Sequence, residues 1–206
     1  MEMQRSGVAL VICAPSGAGK TTLVKRLLAH YPHFAFSVSC TTRKPRQGET
    51  QGIDYDFLSS EDFLARREAG YFAEWAQVHG NYYGTPLEST RKLLSKGQDV
   101  LFDIDVQGAV QLRDTIAGAY FIYIMPPSRN ELERRLRSRG TESEESLVRR
   151  LQGARRELLE AQWFDSWIIN DSLEQAWEEL RAAYIAATLS PACRKDFFLR
   201  LASDWD

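Results

Sequence analysis

The sequence predicts an α/β fold with a mostly parallel central sheet, and three observations carry that prediction. Short apolar runs recur at Val8–Cys13, Val100–Asp105 and Tyr120–Met125, with a last one at Trp167–Asn170. Continuous apolarity over so few residues is what a strand buried on both faces requires. Segments with apolar residues at helical spacing lie between the runs, so strands and helices alternate. A glycine-bearing loop, Ala14–Gly19, joins the first run to the first helical segment.

The elements follow in order. Thr21–Tyr31 sets Leu23, Val24, Leu27, Leu28 and Tyr31 on one helical face. Phe34–Ser39 alternates like a strand, and Thr42–Gly52 is polar, basic and turn-rich. Ser60–Glu68 reads as a short helix with Ser60 at its N-cap. Pro126 and Pro127 end the Tyr120–Met125 strand, and Ser128 with Glu131 opens a helix through a capping box. Thr141 with Glu144 repeats that signal before a long charged helix reaching about Gln162. Ser172 with Gln175 caps a last helix striped by Leu173, Ala176, Trp177, Leu180 and Tyr184. Residues 37–90 and 127–156 break the rhythm and are expected to project and move. The core of one domain is then about 1–36, 91–126 and 157–206.

The totals exclude several classes of function. At 206 residues and a net charge of −2, the chain holds one good core but not the bulk positive charge that coats nucleic acid or an anionic membrane. No run of 18 apolar residues is present, so no membrane span is expected. The polar N-terminus carries no secretory pattern. Cys13, Cys40 and Cys193 lack metal or CxxC spacing and read as reduced thiols, so a cytoplasmic location is expected. Monomer and homo-oligomer both remain open.

Ala14-Pro15-Ser16-Gly17-Ala18-Gly19-Lys20-Thr21, continuing into Thr22, matches G-x-x-x-x-G-K-[ST] except that Ala14 replaces the first glycine. In such a loop, curled backbone N–H groups and the positive end of the next helix face phosphate oxygens. Lys20 can reach the β- and γ-phosphates of a nucleotide, and Thr21 can offer its hydroxyl to Mg²⁺. Arg43 and Arg46 lie three residues apart beside hydroxyls and can clamp a second phosphate, or form a solvated basic face. Glu74, among aromatic and apolar residues, wants a donor partner, and guanine offers N1–H beside its amino group. A surface glutamate at a helix end is the alternative. Asp103 and Asp105 share one strand face at the sheet's ligand-binding end, where one can organise the waters of Mg²⁺ and the other touch the acceptor. N-capping of a helix beginning near Gly108 accounts for at most one of them.

Residues 129–156 hold nine arginines and no lysine against five glutamates. Arg134, Arg135, Arg139, Arg149 and Arg150 cannot all pair with glutamates at helical spacing. A mobile lid carrying them over a transferring phosphoryl group would stabilise its charge and exclude water.

With these pieces in order, APSGAGKTT, SVSCTTRKPR, GIDYDF, EWAQVHGNYYGT, DIDVQG and RRLRSRGTESEES make the chain resemble a guanylate kinase from about Ala9 to Tyr184. The resemblance implies a P-loop kinase fold and transfer from Mg·ATP to GMP, within purine nucleotide metabolism and GMP recycling. It implies GMP-phosphate ligands at Arg43, Arg46, Tyr55 and Tyr83, and guanine ligands at Ser39, Glu74, Thr85 and Asp103. Lys20 and Thr21 would hold the ATP phosphates and Mg²⁺. Arg135, Arg139 and Arg150 match lid arginines, and Asn170 matches a position near the adenine. The tail after Leu189 lies outside the pattern, and its Phe197, Phe198, Leu199, Leu201 and Trp205 are expected to pack on the core or a second subunit. Two rival readings are a peptide-binding module on the same fold and a kinase for another acceptor. Lys20, Thr21 and the arginines argue against the first, and Glu74 against the second.

Overall fold

The computed structural model describes residues 5–35, 37–78, 80–138 and 143–205. Its main sheet has four parallel strands in the order β6-β1-β7-β8, with β1 Ala9–Cys13, β6 Val100–Asp103, β7 Tyr120–Met125 and β8 Ser166–Ile169. Every residue of β1 is buried, which its unbroken apolar sequence requires. Leu10 and Ile12 face one side, against α1 (Lys20–His30) and α7 (Leu173–Thr188). Val11 and Cys13 face the other, with α4 (Val106–Thr115), Phe121, Tyr123 and Phe164. Each fully buried aliphatic chain contributes roughly 2 kcal/mol, against about 0–1 kcal/mol for an exposed ion pair. The two apolar faces therefore hold the fold together.

A second sheet, β3-β2-β5-β4, stands on residues 40–86: β2 Cys40–Thr41, β3 Asp56–Phe57, β4 Phe72–Val78 and β5 Asn81–Pro86. Its small core is Cys40, Phe63 and Phe72, with Phe63 on α2 (Ser60–Glu68). Helix α3 (Leu87–Ser95) returns the chain to the main sheet. Helices α5 (Arg129–Arg137) and α6 (Glu144–Glu160) meet through Leu132, Leu136, Leu147 and Ala154, apart from the main core. No helix among the described residues is long and apolar enough to cross a membrane.

Several sequence expectations need correction. The described residues of 34–39 form no strand: among them Ala35 bridges Val100, after which pairing of Cys40 and Thr41 with Gly84 and Tyr83 draws the chain into the second sheet. The strand from Val100 stops at Asp103, because Asp105 caps α4, which begins at Val106 rather than near Gly108. The cap of α2 is Ser59, whose hydroxyl accepts from the Asp62 N–H. Ser128 caps α5, but Glu131 turns to Arg134 and Arg135 instead of completing the box. Thr141 lies outside the described residues, and Ser143 caps α6. That helix ends at Glu160 and passes into a 3-10 turn, Ala161–Trp163. Ser172 precedes α7 without a side-chain cap bond. The tail forms α8 (Pro191–Ser203), which buries Cys193 but leaves Phe198 66% and Trp205 85% exposed, so these two do not pack on the core.

One buried carboxylate fastens the far end of the sheet. Asp99 accepts both Arg5 guanidinium N–H groups at 2.7 Å, the Val8 N–H at 2.8 Å and the Tyr184 hydroxyl at 2.5 Å. Burial alone pushes the Asp99 carboxyl up, but Arg5, Tyr184 and Val8 outweigh it and hold it below its ordinary value. A carboxyl held low in the folded protein contributes stability above its unfolded pKa, and that stability is lost as pH falls through the folded value. Asp99→Ala is expected to cost about 3 kcal/mol near neutral pH. Urea unfolding from pH 7 down to about 3 should also show a flatter acid limb for the variant.

Candidate functional site

The loop after β1 curls because Gly17 and Gly19 take φ values of 94° and 97°, a region costly for residues with a Cβ. A Cβ on Gly19 would lie 2.2 Å from the Asn170 amide, and one on Gly17 would lie 3.0 Å from Leu132 and Leu136 of α5. Ala18 donates its N–H to Pro15 at 3.1 Å, and its carbonyl accepts the Asn170 side-chain amide at 2.7 Å. The N–H groups of Lys20 and Thr21 open α1, whose first turn holds no acidic residue. First-turn N–H groups have no partner within their helix and carry its positive end. Ala14 packs against the main core, while Ser16, Thr21 and Thr22 face solvent.

Lys20 reaches across to the end of β6, where its ammonium stands 2.7 Å from Asp103 and donates to the Ile104 carbonyl at 3.1 Å. There it lines a cavity of about 570 Å³ between the two sheets. Ser39, Tyr55, Glu74, Tyr83, Thr85, Asp103 and Asp105 share that lining. Residues 19 to 85 positions away in the chain thus meet the phosphate loop's lysine around one space. Val24, Leu28, Leu101 and Phe102 supply its apolar wall, and Ile104 its carbonyl. These were missed in the sequence because they read as core.

Glu74 is buried and accepts the Thr85 hydroxyl at 2.6 Å. Burial pushes its carboxyl up, the Thr85 hydroxyl pulls it down, and the Asp105 carboxylate pushes it up further. It lies on β4, across from Thr85 on β5, so it is not a surface glutamate at a helix end. Asp105 donates nothing but accepts the Gly108 N–H at 2.8 Å, which makes it the capping aspartate of the pair.

Other predicted residues sit outside the cavity wall. Arg43 forms a two-pronged pair with Glu49 at 2.8 and 3.0 Å, and its guanidinium lies 5.5 Å over the Tyr55 ring. Arg46 is exposed, and its N–H donates to the same Glu49. Glu49 closes this turn, a role seen only once its loop is folded. On α5, Arg135 donates to Glu131 at 2.7 Å and to the Asn170 carbonyl at 2.9 Å. Arg150 donates to the Ser16 hydroxyl at 3.1 Å. Arg134 pairs with Glu131, and Arg149 lies 3.9 Å from Glu145, so neither is turned to the loop. Arg139 lies outside the described residues. A larger cavity of about 660 Å³ lies between α5, α6 and the end of β7, lined by Met125, Leu132, Val148, Leu151 and Leu158. Ser128, Arg129, Gln152 and Arg155 also line it, but neither the loop lysine nor any carboxylate does, so we assign the chemistry to the smaller one.

A parallel sheet whose first strand runs into a glycine loop and a lysine-led helix, with a polar cavity beside the lysine, defines a phosphate-loop nucleotide phosphotransferase. The guanylate kinase family model matches residues 6–187. The chain is 61% identical over 205 residues to the guanylate kinase of Oleidesulfovibrio alaskensis, covering 100% of both, and 53% identical to that of Lawsonia intracellularis, covering 97% of this chain and 94% of the other. A crystal structure of guanylate kinase from Anaplasma phagocytophilum superposes with a TM-score of 0.65 at 32% identity, covering 91% and 89% of the two chains. The chain belongs to the guanylate kinase family, and is therefore a nucleoside monophosphate kinase.

The raised Glu74 carboxyl gives a pH test. An ionised carboxylate accepts two donors, whereas the protonated acid must itself donate. The KM for the acceptor is expected to rise as pH falls, with an apparent pKa above the ordinary 4.5, while the KM for ATP changes little. Steady-state kinetics between pH 5 and pH 8 check this.

Proposed function

We propose that this chain transfers the γ-phosphoryl group of ATP to GMP, giving ADP and GDP, in purine nucleotide metabolism and GMP recycling. The observation that carries the reading is one cavity lined by both the buried Glu74 carboxylate and the Lys20 ammonium. Glu74, oriented by Thr85, accepts guanine N1–H and the 2-amino group, with Ser39 and Asp103 nearby in the same wall. The Tyr55 and Tyr83 hydroxyls face the acceptor phosphate. Arg43 joins them by exchanging Glu49 for that phosphate, and Arg46 follows as the loop closes. Adenine carries an acceptor where guanine carries N1–H, so AMP would leave Glu74 unpaired, which is strongly disfavoured in a buried site.

On the donor side, the ATP phosphates lie along Ala14–Thr22. Lys20 bridges β- and γ-phosphate and offsets charge on the transferring group. Asn170 braces the loop from beneath, so its amide holds Ala18 while its neighbourhood borders the adenine. Residues 37–90 act as the acceptor-binding segment and 127–156 as a lid. Arg135, Arg139 and Arg150 come from that lid to the phosphoryl group, holding its charge and excluding water.

The residues present fit Mg²⁺. It prefers hard oxygen donors, retains water and leans on substrate phosphates rather than a full protein cage. No group of three or more acids, histidines or cysteines among the described residues is arranged as such a cage. Thr21 would offer its hydroxyl and Asp103 would hold a bound water. Asp105, committed to capping α4, would act only through a further water. When bound, the ion supplies charge neutralisation at the phosphates. We place the protein in the cytoplasm, which suits its three buried, unpaired cysteines.

Two substitutions test the division of labour. Lys20→Ala should reduce kcat by at least about a thousandfold while GMP still binds in calorimetry, and near-normal turnover would refute the loop assignment. Glu74→Gln should raise the KM for GMP by about a hundredfold and leave that for ATP within about threefold. Equal losses for both nucleotides would remove Glu74 from the guanine.

A further inference from the structure

Two polar groups behind the phosphate loop have no role in the account above. Tyr123 lies in the middle of β7, opposite Cys13 of β1, fully buried, and its hydroxyl has no hydrogen-bond partner among the described residues. Phe164 packs edge-on against the ring at 5.5 Å between centroids. A buried hydroxyl without a partner loses its bonds to water and gains nothing in return.

Tyr123 packs with Ala161 and Phe164, just past the end of α6, and its strand neighbour Cys13 donates its thiol to the carbonyl of Asp105, which lines a cleft with Glu157. Burial and then the Glu157 carboxylate push the Tyr123 phenol up, with Glu160 adding to the effect. Glu157 is half-buried and lines a cleft of about 200 Å³ with Asp105 and Gln107 on α4 and Gly153 on its own helix. Elsewhere in the arm, Glu131, Glu133 and Glu144 each pair with an arginine, but Glu157 has no such pair among the described residues. Burial and Asp105 push its carboxyl up, while Lys20 pulls it down. One turn earlier, a Cβ built on Gly153 meets nothing within 4 Å. Helix α6 therefore has open space beside the face that carries Glu157.

Resting on the lid reading given above, we propose that Glu157 and Tyr123 form a latch for the lid. With both nucleotides bound, α6 settles into the space beside Gly153 and the Glu157 carboxylate accepts the Tyr123 hydroxyl. A charge-assisted bond then replaces two poorly satisfied groups. Arg150 stands two turns before Glu157 on the same helix and already reaches Ser16 of the loop. Seven residues bring the two side chains to nearly the same face, so fixing Glu157 fixes the arginine over the phosphates. Both latch residues are positioning residues, since neither touches substrate.

The test compares Tyr123→Phe, Glu157→Gln and the double variant. Without nucleotide, Tyr123→Phe is expected to unfold at the parent temperature or slightly above it, because the lost hydroxyl had no partner. With GMP and a non-hydrolysable ATP analogue, its gain in Tm should be smaller than the parent's. In turnover its kcat should fall about tenfold, the size of one hydrogen bond to a charged group, with both KM values changed less than about twofold. Glu157→Gln should also lower kcat, and the double variant should be no worse than the poorer single one, as for two halves of one interaction. Parent-like kcat and ligand-induced Tm gain in Tyr123→Phe would overturn the latch, as would kcat losses that multiply in the double variant. A lower Tm for Tyr123→Phe without nucleotide would overturn it too, by showing the hydroxyl already bonded. If the parent itself released no ADP with GMP, the kinase reading and the latch would fall together. Normal parent turnover with unmoved variants would remove the latch alone.

Discussion

Asn170 donates its side-chain amide to the carbonyl of Ala18 at 2.7 Å, linking the end of β8 to the turn after β1. That contact is possible only because Gly19 has no Cβ, which would lie 2.2 Å from the same amide. The loop must curl to aim N–H groups at an anion, and a curl needs left-handed residues and an external brace. The parallel sheet supplies both ends of the brace, since β1, β7 and β8 finish at the same edge. Arg135 holds the carbonyl of Asn170, so α5 is tied to the residue that braces the loop. A shift of α5 would in this way be felt at the loop.

Three acids show how one side-chain type serves three purposes. Asp99 is surrounded by donors that outweigh its burial, so it stays ionised and fastens the sheet. Glu74 has one hydroxyl partner, and burial prevails, leaving a carboxylate that gains when a ligand brings donors. Asp105 accepts a backbone N–H and orders the helix behind the cavity. Of the three, only Glu74 is buried with its needs incompletely met.

Local chemistry was readable before the fold was known. The phosphate loop, the buried strands and the Ser128 cap depend on neighbours within a few residues, so pattern sufficed. Lys20, Glu74, Thr85, Tyr55 and Tyr83 were also singled out, and the fold brings them to one cavity. What pattern missed depends on distant partners. Phe34–Ser39 alternates in sequence, but among its described residues the pairing is that of Ala35 with Val100, before Gly84 and Tyr83 claim the next residues. Nothing near Arg43 in sequence singles out Glu49 over other acids. Phe198 lies on a helix anchored by Cys193 that commits it to the surface, and Trp205, just past the helix end, is exposed as well.

The central claim is that a buried carboxylate beside the loop lysine selects guanine as the acceptor. A coupled ADP-release assay with Mg·ATP, offering GMP, AMP, UMP and CMP separately, tests it most directly. The account predicts turnover with GMP and none above background with the other three. Comparable turnover with AMP would contradict it, because Glu74 would then be selecting nothing. Binding of GMP without turnover would contradict the kinase reading itself.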